Sequence, residues 1–99
     1  MRQVTSVIRS FADKRTKAVF EDVPVKGLGP DVRRAARKKL LMLNRAGTLG
    51  DLRVPPGNRL EALQRNRAGQ HSIRVNDQWR ICFVWREGDA YEVEIADYH

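Results

Sequence analysis

A single cysteine, Cys82, sits among 99 residues, so no disulfide can form within the chain. Neither a CxxC pair nor a spaced pair of histidines suggests a structural metal. No apolar run approaches the roughly 18 residues that a membrane span requires. The opening Met1-Arg2-Gln3-Val4-Thr5-Ser6 lacks the long apolar stretch of a signal peptide. The chain is therefore expected in the cytoplasm, with no membrane contact, no metal and no cofactor. Aromatics are few at 7%, yet hydrophobic residues at 41% suffice for a packed core, which argues against disorder. Internal repeats and low-complexity segments are absent. Ninety-nine residues leave room for one core, so 1–99 is read as a single domain.

Acidic residues are the minority: 12 against 19 Lys and Arg, a formal charge of +7 that points to a polyanionic partner. The excess is uneven. Residues 1–45 carry 12 basic and 4 acidic side chains, whereas residues 81–99 carry Arg86 against five acids. Between 46 and 80 every basic residue is an arginine, whose planar fork of donors matches phosphate oxygens in pairs. A GC-rich coding sequence would produce the same bias, so position has to decide its meaning.

The pattern along the chain reads β-α-α-β-β-β-β. Val4 to Phe11 suits a first strand and Ala12 to Phe20 a short helix. After a Pro/Gly stretch, Pro30 fits a first helical position and Asp31 the positive end of the dipole. Measured from Arg33, the residues Val32, Ala35, Ala36, Leu40, Met42 and Leu43 fall on an arc of about 180–340°. Arg33, Arg34, Arg37 and Lys38 take the opposite arc and form a candidate RNA-binding stripe; the plainer reading is a solvated face. Only Lys39 and Leu41 break the pattern, and the helix is expected to end at Ala46-Gly47. Pro55-Pro56 and Gly57-Asn58 make Asp51 to Arg59 a loop. The period then switches to two, with strands at Leu60–Gln64, His71–Val75, Trp79–Trp85 and Tyr91–Ala96 joined by short turns. The expected architecture is α+β, two N-terminal helices packed on one antiparallel-dominated sheet.

The central hairpin has its own logic. Ile73, Val75, Trp79, Ile81 and Phe83 share a face only if the loop is odd, most simply Asn76-Asp77-Gln78. Arg74 then opposes Arg80 on the other face, and Ser72 opposes Cys82. Like charges placed opposite one another destabilise a sheet, so the doublet needs a reason. One reason is pairing with a carboxylate such as Glu61, Glu94 or Asp97; the other is a phosphate clamp. The chain then finishes Asp97-Tyr98-His99. A tail in that place is ordinarily inert, but His99 is the side chain suited to proton exchange at neutral pH. Cleaving RNA by its own 2′-OH needs a base, an acid and cations on the phosphorane. Arg74 and Arg80 suit the cationic role, and Glu61, Asp97, Tyr98 and His99 the proton transfers. Tyr98 or Tyr91 offers a stacking platform, Trp79 and Trp85 poorer ones. His71 is read as structural or solvent-facing, and Cys82 as a small buried residue.

Three stretches carry a resemblance: Arg53-Val54-Pro55-Pro56-Gly57-Asn58-Arg59-Leu60-Glu61-Ala62-Leu63, the run from Gly69 to Phe83 containing Ser72-Ile73-Arg74-Val75-Asn76-Asp77-Gln78-Trp79-Arg80-Ile81, and Val93 to His99. Ile8-Arg9-Ser10-Phe11 fits too. Together they resemble the HigB family of toxins within the RelE superfamily over nearly the whole chain. The resemblance implies a RelE-like microbial RNase fold and a ribosome-dependent mRNA endonuclease, the toxin of a bacterial type II toxin–antitoxin pair. It implies cleavage of mRNA in the A site of the 70S ribosome without a metal, leaving a 2′,3′-cyclic phosphate or 3′-phosphate end. It also implies a HigA-type helix-turn-helix antitoxin, with operator DNA reached only through that antitoxin. By position, Arg80 matches the family's phosphate-contacting arginine, and Asp97, Tyr98 and His99 its C-terminal triplet. The chain departs where some relatives have His at Glu61, Lys at Gln64 and Arg at Asn76; Arg65 and Arg67 in the adjacent turn are candidates for the missing lysine's RNA contact. The alternative to an enzyme is a non-catalytic ribosome- or nucleic-acid-binding module. Direct DNA binding is disfavoured, because no recognition-helix pair or dimer seam is evident.

Overall fold

The structure is a computed structural model that describes residues 6–98. Asp13 opens the first helix by accepting from the Thr16 amide at 2.7 Å, and α1 spans Lys14–Phe20. The second helix, α2, spans Pro30–Asn44 with proline in its first turn, as the sequence indicates. It ends earlier than expected. Arg45 is the C-terminal cap, and the Gly47 amide instead donates to Asp51 Oδ2 at 2.9 Å, within a capping box formed by Thr48 and Asp51. The proline-rich stretch after it is two short 3₁₀ turns, Leu49–Arg53 and Pro56–Asn58, rather than open loop.

Four strands follow in the order β1-β2-β3-β4, all neighbours antiparallel: β1 Glu61–Ala62, β2 His71–Arg74, β3 Trp79–Arg86 and β4 Asp89–Asp97. β1 is shorter than the predicted Leu60–Gln64, because the chain turns into a 3₁₀ turn at Arg65–Arg67. Glu87 and Gly88, both at positive φ (51° and 84°), form the two-residue turn that joins β3 to β4 with the twist hairpins favour.

The first strand takes a different form. Among the described residues, Ile8 bridges Ala90 and Phe11 bridges Val93, both parallel to β4, with no continuous ladder between. β4 carries a bulge there: Glu92 has φ 53°, and the β3–β4 register slips between Cys82 and Val84. The Glu92 amide is satisfied by Ser10 Oγ at 2.9 Å instead of a ladder carbonyl. The Asn44 side chain accepts from the amides of Val7 and Ile8, tying this segment to α2.

The hairpin register is the predicted one: Arg74 pairs with Arg80, Ile73 with Ile81 and Ser72 with Cys82. Alternation then divides the sheet. Ile73, Ile81, Phe83, Val93 and Ile95 face the helices and pack with Val19, Ala36, Leu40 and Leu43 in one core. On the opposite face, Leu63, Cys82 and Ala96 form only a small cluster. Among the described residues that face carries no α-helix, and it holds the charged residues described next.

Candidate functional site

Arg80 is the organising side chain of the open face. It is 7% exposed. Its Nε donates to Ser72 Oγ at 2.7 Å, and one terminal nitrogen donates to the Arg59 carbonyl at 2.7 Å. The same nitrogen lies 3.3 Å from Glu61 Oε1, and the guanidinium sits 5.2 Å from the centre of the Tyr98 ring. Two of these partners follow from the register: Ser72 is the diagonal neighbour across β2–β3, and Glu61 pairs with Ser72 across β1–β2. The carboxylate pairing left open by the sequence is thus realised by Glu61, which is itself half exposed.

Arg74, although opposite Arg80 in the backbone, takes a separate acceptor, Asp77 in the turn. Separate acceptors relieve the like-charge cost of the doublet. Asn76, an expected RNA contact, builds that same turn: its Oδ1 accepts from the amides of Gln78 and Trp79 at 2.9 and 2.8 Å.

Arg67 bonds Glu94 Oε1 and Gln70 Oε1, both at 3.1 Å, and its pairing with Glu94 raises its pKa. Leu63, Gln64, Arg65, Asn66, Arg67 and Tyr98 border an open cleft of about 390 Å³ beside Arg80. Arg65 stands exposed on its rim, while the charge of Arg67 is matched by Glu94. Beneath lies Cys82, fully buried; burial pushes its thiol up against the opposing pull of Arg67 and Arg80. Among the described residues, no group of three His, Cys, Asp or Glu side chains has the arrangement of a metal site. No helix of the described residues is long and apolar enough to cross a membrane.

One family model matches most of this chain. The sequence model for RelE-like toxins of the type II toxin–antitoxin system HigB matches residues 9–99. The chain belongs to the HigB-like toxin family. It is 43% identical over 81 residues to the toxin HigB-1 of Vibrio cholerae serotype O1, covering 81% of this chain and 85% of that protein. It is 35% identical over 94 residues to the endoribonuclease HigB of Proteus vulgaris, covering 94% of this chain and all (100%) of that protein. Among solved structures, it resembles the YoeB–YefM complex from Staphylococcus aureus with a TM-score of 0.59 over 93% of this chain and 97% of that one; at 15% identity this likeness is one of fold.

In this HigB-like chain the structure gathers Arg80, Glu61 and Tyr98, with Arg65 and Arg67 alongside. Asp97 is placed differently. It has the strand parity of Ile95 and opposes Trp79, and its carboxylate accepts from Gln78 Nε2 at 3.1 Å. His99 lies outside the described residues. Tyr91 packs under Arg86 at 4.2 Å near the β3–β4 turn, and Trp79 lies under Arg15 on the helix face, so of these three aromatics Tyr98 is the one beside Arg80. His71 stacks on Phe83, a packing role as expected.

The basic stripe of α2 lies on the helix layer, across the sheet from Arg80. Arg34 pairs with Asp31, and Arg37 Nε donates to the Phe20 carbonyl at 3.1 Å, so part of the stripe ties α2 to its own turn and to α1. Arg34, Arg37, Lys38 and Arg45 border a second cleft with Leu41. Arg33 is half-buried beside them. What the sequence reading missed is that Ser72 and the Arg59 carbonyl hold Arg80. The diagonal position of Ser72 was legible; the Arg59 carbonyl, reached from a loop, was not.

Proposed function

We propose that this toxin is a ribosome-dependent mRNA endonuclease that cleaves A-site message by attack of the ribose 2′-OH on the adjacent phosphate, without a metal. The observation that carries the reading is Arg80: a cation nearly withdrawn from water, fixed by Ser72 and Arg59, facing a helix-free surface beside an exposed tyrosine. A guanidinium held in this way meets the charge that develops on a pentacoordinate phosphorane without reorganising. Glu61, within reach of Arg80 and half exposed, takes the 2′-OH proton, and Tyr98 offers its face to a base. His99 hands a proton to the departing 5′ oxygen, leaving a 2′,3′-cyclic phosphate. Arg74 acts from the margin of the site, and Asp97, on the other face, positions the strand end that carries Tyr98 and His99.

Arg65 and Arg67 follow the RNA backbone past the cleft. Arg33, Arg34, Arg37 and Lys38 lie too far round the molecule to touch the same phosphate, and serve as contacts to ribosomal RNA. Family membership and the naming of the Proteus vulgaris relative as an endoribonuclease support RNA cleavage. A HigA-type helix-turn-helix antitoxin is the expected partner, and operator DNA is reached through it.

The test is to map RNA ends on translating ribosomes and to identify the end group that the cut leaves. Wild type leaves a 2′,3′-cyclic phosphate or 3′-phosphate, and Arg80→Ala does not cut. A 3′-hydroxyl end would remove the metal-free 2′-OH step, and cutting of free RNA at the same rate would remove ribosome dependence. Graded, salt-dependent binding losses at Arg33, Arg34, Arg37 and Lys38 without any cleavage would favour the non-catalytic binding module.

A further inference from the structure

Lys39 stands on the inward arc of α2, between Ala36 and Leu40 and ahead of Leu43, where an aliphatic residue is the ordinary choice. Its ammonium donates to Asn58 Oδ1 at 2.6 Å. Asn58 is fully buried, and its own amide donates to the carbonyls of Leu52 and Val54 at 3.1 and 3.4 Å. Lys39 thus satisfies the acceptor of a side chain whose donors already hold the loop. The next residue, Arg59, has φ 47° in the left-handed region, and its carbonyl is the one that accepts from Arg80. Lys39, Asn58, the Arg59 backbone and Arg80 therefore form an unbroken chain of bonds from the helix layer to the open face.

We propose that Lys39 is a positioning residue for Arg80: by holding Asn58 it fixes the Arg59 carbonyl, and so sets the direction in which the guanidinium meets the phosphate. This rests on reading Arg80 as the phosphate contact. Lys39 is half-buried there. Burial lowers the lysine's pKa, and the charges of Lys38 and Arg74 lower it further. A neutral side chain would plug the space at less cost, but it would leave Asn58 Oδ1 without its donor.

In single-turnover cleavage on translating ribosomes, Lys39→Met should slow the chemical step roughly tenfold to a hundredfold, with half-saturating concentration unchanged. Lys39→Arg, which keeps a donor, should recover most of the rate. The Arg80 Nε–H resonance, held by Ser72, should shift or broaden in Lys39→Met while core amides such as Ile73 and Ile81 keep their positions. In an Arg80→Lys background, which keeps a measurable residual rate, Lys39→Met should add no further loss. A folded Lys39→Met protein with normal rate and an unmoved Arg80 resonance overturns the proposal, as does a full additional loss in the Arg80→Lys background. If Arg80→Ala cuts normally, the phosphate-contact reading fails, while the resonance still reports the link to Lys39. Should Lys39→Met not fold, Lys39→Leu, which also lacks a donor, carries the same measurements. Failure of both to fold overturns the proposal, since the lysine would then serve stability alone.

Discussion

Arg80 and Glu61 meet at 3.3 Å on the helix-free face, the guanidinium side chain 9% exposed and the carboxylate side chain 50%. The two are unequal partners. Arg80 is also held by Ser72 and the Arg59 carbonyl, whereas Glu61 sits at the end of a two-residue strand. A fixed cation beside a carboxylate open to solvent leaves room for a phosphate to approach. Arg80→Lys should lower cleavage by at least about a hundredfold, because an ammonium cannot reproduce the fork that reaches Ser72 and Arg59 together. Glu61→Gln should also lower the rate by about a hundredfold or more while leaving the melting temperature within a few degrees. Single-turnover cleavage and thermal unfolding measure the two effects.

Cys82 is expected to be inert in the folded protein. Its thiol is buried and its pKa is pushed up by that burial, so little thiolate forms near neutrality. Reaction with a disulfide reagent should be slow in buffer and rapid in denaturant. Cys82→Ala should keep its cleavage activity and lose about 1 kcal/mol of stability. Fast native labelling would show the open face to be looser than the packing indicates.

Acid should weaken the turn after α2. The amides of Thr48 and Gly47 hold the Asp51 carboxyl below its ordinary value of 3.8. A depressed folded pKa means that this contribution is complete above the unfolded value and is lost as pH falls through the folded one. Melting curves between pH 5 and pH 2 should therefore decline less steeply for Asp51→Asn than for wild type. Parallel curves would show that this cap does not contribute to the acid limb.

Thr16 joins α1 to the sheet by one buried bond, the Ile95 amide donating to its Oγ1 at 2.9 Å. Thr16→Val keeps the shape and strands that amide. Urea denaturation should register a loss of about 1–3 kcal/mol. A change under half a kilocalorie would mean that water reaches the Ile95 amide.

The α2 stripe, the β2–β3 register and the face on which Arg80 lies were all legible in the sequence, since each rests on a local repeat. Alternation over Ile73 to Phe83 leaves one loop parity that buries the apolar set, and that parity put Arg74 against Arg80 and Ser72 against Cys82. The Asp-Tyr-His ending marked Tyr98, which the fold brings over Arg80. Period-two reasoning also places Asp97 with Ile95 on the other face, although the sequence motif groups it with Tyr98.

What local pattern did not reach was how distant segments meet. Among the described residues the first strand is two bridges on either side of the β4 bulge at Glu92, a distortion visible only when three chain segments are aligned; Val4 and Thr5 lie outside the described residues. Lys39 looked like a flaw in an apolar arc until the 49–59 segment folded back and laid Asn58 against it. The Arg59 carbonyl became a ligand of Arg80 through the same closure. A guanidinium can take any acceptor within its reach, and which acceptors are there depends on backbone brought from 21 positions away. Periodicity carries the faces of helices and strands because neighbours in sequence set them; the partners of a buried charge are set by neighbours in space.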